Sequence, residues 1–167
     1  PVVNSLEALP EANELLIGIA PTGGSLPAPM RTLILGAIQR GMNVVSGLHE
    51  FLNDDPEFAA AAQTSGSTLH DLRHNKERDV AKRKGISASC LRIHTVGHDC
   101  SVGKMVVSIE VARGLVNQGV DAKFIATGQT GMMVEGDGCP VDAVVADFVS
   151  GAVEKQILKN QHREVLV

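Results

Sequence analysis

One segment constrains this chain more than any other: Gly97-His98-Asp99-Cys100-Ser101-Val102-Gly103-Lys104-Met105. It follows the run Leu91-Arg92-Ile93-His94-Thr95-Val96, a strand pattern, and precedes a helical stretch from Lys104 to about Asn117 that Gly119 ends. A glycine-rich turn between a strand and a helix is the setting of a phosphate-binding loop, or P-loop. Loop amides and first-turn amides converge on an anion, and the helix dipole favours negative charge there. Glycine lets the backbone approach without a side chain in the way, and Lys104 adds a mobile cation for a terminal phosphate. Gly97, His98, Asp99, Cys100, Ser101, Val102, Gly103, Lys104 and Met105 are therefore the expected ligand-binding set.

This loop departs from the usual pattern twice. Five residues, not four, separate Gly97 from Gly103-Lys104, a spacing similar to that of dethiobiotin synthetase and its relatives. The residue after the lysine is Met105, which offers a hard cation no oxygen where Ser or Thr would hold Mg²⁺. Phosphoryl transfer relies on that metal, so the loss weakens a kinase more than a plain phosphate binder. Whether Mg²⁺ accompanies the ligand stays open, with Thr95, Asp99, Ser101 and Ser108 as substitute oxygens.

Elsewhere the pattern is α/β, with parallel sheets and flanking helices. Leu15 to Ala20 and Met42 to Ser46 are short apolar strands, and Met30 to Arg40 is a helix between them. Pro21-Thr22-Gly23-Gly24-Ser25 is a turn, and Asp54-Asp55-Pro56 opens another helix. Residues 64–88 are polar, which places a domain boundary there: 1–85 as a partial Rossmann-like domain, 86–167 as a P-loop domain truncated at its C-terminus. Asp121 to Ala126 is a strand, Thr127 to Gly138 a loop, Val141 to Leu158 one helix, and Glu164 to Val167 a strand cut off at its end. The opening Pro1-Val2-Val3, without Met, indicates a fragment or a processed chain.

Composition excludes several classes. With 44% apolar residues but only 2% aromatics, the core is aliphatic and no stacking platform for single-stranded nucleic acid exists. A net charge of −4 argues against duplex binding. No apolar run spans a bilayer, so no membrane partner is expected. Cys90, Cys100 and Cys139 form no Cys-x-x-Cys pair; they are expected as free thiols in the cytoplasm, with no metal site. Self-association into a homo-oligomer stays open.

Taken together, five ordered motifs resemble a P-loop family long of unknown function and now associated with D-glutamate N-acetyltransferase. They are Gly18 to Gly24, Val44 to Leu52, Val96 to Met105, Ala126 to Gly131, and Val141 to Phe148. The resemblance implies a Rossmann-like domain, then a P-loop domain, and acetyl transfer from acetyl-CoA to the amine of D-glutamate. The chain departs from the family at His98, where Thr is usual, and at Asp137, where an apolar or aromatic residue stands. It ends where the family continues from a strand into a Glu-Gly-Gln-Gly segment.

The expected ligand is thus acetyl-CoA or ATP, with an amino acid as second substrate. Lys104 is the expected phosphate cation, and Glu135 and Asp147 are candidate acids to orient or deprotonate the amine. Thr127, Gln129 and Thr130, just past a strand end, are candidate substrate contacts. His94, alternating with apolar strand residues, is expected to be structural. Two other function classes remain beside the acetyltransferase: an ATP-dependent kinase or ligase of the dethiobiotin synthetase type, and a non-catalytic nucleotide-binding module.

Overall fold

The computed structural model describes residues 2–19, 21 and 25–167. The glycine turn expected at Thr22-Gly23-Gly24, with its share of the first family motif, lies outside them. The chain forms two compact units that divide between His74 and Asn75.

The first unit is a three-stranded parallel sheet in the order β1-β2-β3, made of β1 (Glu14–Ile17), β2 (Asn43–Ser46) and β3 (Leu69–Asp71). Helix α1 (Ala28–Gln39) connects β1 to β2, and α2 (Pro56–Ser65) connects β2 to β3. Ile17, Ile34, Ile38, Val44, Leu48, Leu52, Phe58 and Ala62 form its core. The start of α2 is set by Asp55, whose Oδ1 accepts from the amides of Glu57 at 2.9 Å and Phe58 at 3.2 Å. Gly66, at φ 77°, closes the helix. Arg31 of α1 grips the same carboxylate with two nitrogens, at 2.7 and 2.9 Å, and lies 4.4 Å over the Phe58 ring. One carboxylate thus caps one helix and ties it to another.

Strand β3 falls inside the stretch expected to be a linker. Its side chains are half-buried or exposed, so it carries no apolar signal. Backbone contacts hold it instead: Asp71 accepts from the amides of Leu52 and Asn53, and the buried Arg73 donates through Nε to the Gly47 carbonyl at 2.7 Å.

The second unit carries a parallel sheet in the order β4-β6-β5, from β4 (Leu91–Arg92), β5 (Ala122–Lys123) and β6 (Val165–Leu166). Helix α3 (Lys104–Asn117) packs on it over Ala112, Phe124, Ala126, Val165 and Val167. Two expected elements differ. The segment after β5 is not all loop, because α4 (Gln129–Glu135) forms there and ends at Gly136, φ 74°. The single helix expected over 141–158 is broken: 3₁₀ turns at Val141–Ala143 and Ala146–Phe148 precede α5 (Val149–Asn160). Val144, buried beside Cys139 and Ala152, draws the chain inward between those turns.

Residues 75–85, grouped by composition with the first domain, pack on α5. The buried Glu154 carboxylate accepts from the amides of Lys82 at 2.7 Å and Arg83 at 2.6 Å, and Lys155 pairs with Glu77 at 2.8 Å. The chain crosses α5 so closely at Gly151 that an added Cβ would stand 1.8 Å from the Asp79 carbonyl oxygen.

Three substitutions test this packing. Arg31 holds the Asp55 carboxyl at about 2, below its ordinary range. That stabilisation is present above the unfolded-state pKa near 4 and is lost as pH falls through about 2. Asp55→Ala should lower stability by about 1–2 kcal/mol at neutral pH and flatten the drop between pH 4 and 2 in thermal melts followed by circular dichroism. Gly151→Ala should destabilise the second unit by about 1–3 kcal/mol in denaturant titrations. Gly114→Ala in α3, where an added Cβ meets nothing within 4 Å, should be neutral or mildly stabilising.

Candidate functional site

The chain leaves β4 after Arg92, runs through Ile93 to Val96, and turns at residues 97–103 into the first turn of α3. Two left-handed residues shape the turn, Ser101 at φ 54° and Gly103 at φ 93°. The carboxylate Oδ1 of Asp99 accepts from the Cys100 amide at 2.7 Å, and the Asp99 carbonyl accepts from Lys104 Nζ. The lysine stem lies along Gly97, where a Cβ would meet Val102 Cγ2 at 2.9 Å and Lys104 Cδ at 3.1 Å. Gly97 is thus a packing requirement of the loop. Gly103 caps α3 without a side-chain hydrogen bond, so no side chain of the cap competes for the first-turn amides. Residues 97–103 are exposed and Lys104 is half-buried. A strand exit, a glycine-rich turn and a helix N-terminus in this order are the setting of a phosphate-binding loop.

Beside the loop lies a cavity of about 720 Å³. Lys104, Met105 and Ser108 of α3 form one part of its wall, and Arg92 to Thr95 another. Thr127 to Gly131, at the start of α4, add hydroxyls and amides. Val149, Val153 and Ile157, one turn apart on α5, add an apolar stripe. Leu166 and Val167 complete it at the carboxyl end of the sheet, where parallel sheets hold their ligands. The expected contacts Thr127, Gln129 and Thr130 therefore share one cavity with Lys104 and Met105.

The two candidate acids stand elsewhere. Glu135, at the far end of α4, is 4.0 Å from Lys123 and lines another cleft, of about 470 Å³, with Arg113 and Arg163. Asp147 is exposed in the second 3₁₀ turn. Asp137 accepts from Lys159 at 2.8 Å through both oxygens, and that ammonium holds it below the ordinary carboxylate range, against a role as base. Cys100 is exposed, while Cys90 and Cys139 are buried, and all three are free. Burial pushes the Cys139 thiol up, keeping it protonated. Among the described residues, no group of three or more His, Cys, Asp or Glu is placed to hold a metal, and no helix is long and apolar enough to cross a membrane.

Two cavity features were not assigned from the sequence. His94, expected as structural, has an exposed ring and no hydrogen bond or ion pair among the described residues. The apolar alternation of the strand pattern gave no sign of that exposure. The other feature is a hydroxyl pair: Ser108 donates to Thr95 Oγ1 at 2.7 Å, tying the exit of β4 to α3 one turn beyond Lys104.

Comparison with known proteins adds an independent line. Residues 1–75 match the family described as "Domain of unknown function (DUF1611_N) Rossmann-like domain", and residues 78–167 match "Domain of unknown function (DUF1611_C) P-loop domain". Two curated relatives, from Tritonibacter scottomollicae and a Pseudoalteromonas species, are each 41% identical over 86% of this chain and 43% of their own length; both are named D-glutamate N-acetyltransferase. The crystal structure of a DUF1611 family protein from Anabaena variabilis superposes with a TM-score of 0.92 at 39% identity, over 99% of this chain and 49% of that one. The chain spans about half the length of the relatives it matches.

The close packing at Gly97 makes a direct test of the loop. Gly97→Ala should displace the lysine stem and weaken pyrophosphate binding roughly tenfold, as expected for losing one well-placed charged contact, while leaving the melting temperature nearly unchanged. Calorimetric titration of both proteins with pyrophosphate measures the difference.

Proposed function

The chain belongs to the DUF1611 family, and from that premise we propose that it binds acetyl-CoA through the turn at 97–104 and serves acetyl transfer to the amine of a D-glutamate-like amino acid. The observation that carries this is the continuity of one cavity, from a cation at Lys104 to an apolar stripe at Val149, Val153 and Ile157. An acyl-pantetheine ligand has the matching order of chemistry: phosphates at one end, amides in the middle, and methylenes between them. Loop amides and Lys104 receive the phosphates. Thr127, Gln129 and Thr130 provide hydrogen-bonding groups for the amides, and the α5 stripe covers the apolar carbons. The names of the two curated relatives support the same reaction class. Glu135 and Asp147, set apart from this cavity, receive no role in the proposal.

Met105 shapes the choice between donors. It lines the cavity at the position where a hydroxyl would hold Mg²⁺, so the phosphates are neutralised by amides and ammonium instead. That suits a ligand whose phosphates are a handle better than one whose phosphoryl group is transferred. A cytoplasmic setting goes with this proposal, since acetyl-CoA is at hand there and a reducing compartment suits three free thiols.

Titration with acetyl-CoA and with ATP, each with and without Mg²⁺, tests this assignment. Metal-independent binding of acetyl-CoA is expected, and Lys104→Ala should raise its dissociation constant at least about tenfold. Tight binding of ATP only with Mg²⁺, without acetyl-CoA binding, would overturn the proposal in favour of a kinase or ligase.

A further inference from the structure

Resting on the acetyl-transfer reading, we propose that His94 is the base that takes the proton from the acceptor amine. An amino-acid amine is an ammonium at neutral pH and has no lone pair for attack until it loses a proton. Something at the reacting end of the cavity must accept that proton.

The cavity wall leaves few acceptors. Among the described residues, no Asp or Glu side chain lines it. Its charged side chains are Lys104 and Arg92, cations without a free lone pair. Lys104 is bonded to the Asp99 carbonyl, and Arg92 Nη1 donates to the Ser87 and Cys90 carbonyls at 2.9 and 2.7 Å. Thr95, Ser108, Thr127, Gln129 and Thr130 bring hydroxyls and an amide, none of them a base near neutrality. Helix α5 presents only Val149, Val153 and Ile157. Among the described wall residues, His94 is the side chain whose neutral ring carries a nitrogen lone pair to accept a proton. Its ring is exposed and spends neither nitrogen on a structural contact among the described residues. It also lies three residues before Gly97 on the same strand exit, so a donor held by the loop brings its acyl arm into the cavity that His94 lines.

In this step one ring nitrogen accepts a proton from the substrate ammonium. The freed lone pair attacks the thioester carbonyl carbon, and the new C–N bond forms as the C–S bond breaks with its electron pair on sulphur. A second proton leaves the nitrogen for the departing thiolate, and His94 returns the first to solvent. The sum is an amide, the CoA thiol and one released proton.

The test uses the full chain and compares wild type, His94→Gln and His94→Ala. Acetyl-CoA affinity is followed by calorimetry, and transfer to D-glutamate by mass spectrometry between about pH 6 and 9. His94→Gln should keep acetyl-CoA affinity within about twofold, lose transfer by roughly 100-fold, and regain rate as rising pH deprotonates the amine directly. Added imidazole should restore His94→Ala, an effect a merely structural histidine would not show. An active wild type with His94→Gln unchanged in rate and pH profile would overturn this role alone. A wild type that binds acetyl-CoA yet acetylates no amine would overturn the transfer reading and this role together.

Discussion

The second unit depends on the pairing of its last strand. β4 and β5 do not hydrogen-bond to each other; each is held only through β6, at Leu91↔Val165, Arg92↔Leu166, Ala122↔Val165 and Lys123↔Leu166. The ladder continues at 2.8 Å from the Ile93 amide to the Leu166 carbonyl and from the Ile125 amide to the Val167 carbonyl. The glycine-rich turn hangs from β4, and the α4 end of the cavity from β5. Their mutual placement is therefore fixed by a few backbone bonds whose partners lie some forty to seventy residues away in the chain. Such long-range closure is costly in chain entropy and forms late. The apolar contacts of Val165 and Val167 with Ala112 and Phe124 offset it.

Electrostatics then divides the work of the site. Three carboxylates of the second unit are occupied away from the cavity wall: Asp137 with Lys159, Glu154 with backbone amides, Glu77 with Lys155. What remains along the wall is cationic at the loop, neutral and polar near α4, and apolar along α5. A gradient of that kind matches the long amphipathic ligand proposed above.

How much of this could be read beforehand depended on which force shaped each part. The turn at 97–104 and helix α3 were legible because glycine spacing and helical periodicity are local properties of the chain. The first two strands, α1 and α2 were legible for the same reason, Asp55-Pro56 marking the start of α2. β3 was not, because its stability comes from the Asp71 and Arg73 contacts rather than apolar burial. The break between 143 and 149 was hidden because Val144 turns inward through tertiary packing that a continuous helical pattern does not reveal. In the site, Thr127, Gln129 and Thr130 could be placed from the rule that ligands sit past strand ends. Glu135 and Asp147 do not line that cavity: Glu135 stands beside Lys123, and Asp147 is exposed in a 3₁₀ turn that the helical pattern did not indicate. His94, expected as structural, lines the cavity, a placement that the alternation of the strand pattern did not indicate.

The bond from Lys104 to the carbonyl of Asp99 carries one further consequence. The ammonium already has an acceptor within its own loop, so a guest must outbid that carbonyl rather than meet a loose charge. A hydroxyl or an ester oxygen offers no more than the backbone does. A phosphate offers full negative charge, and the surrounding amides reinforce it. Under the proposed acetyl-CoA reading, the internal bond sets a threshold that a phosphate passes and a neutral oxygen does not.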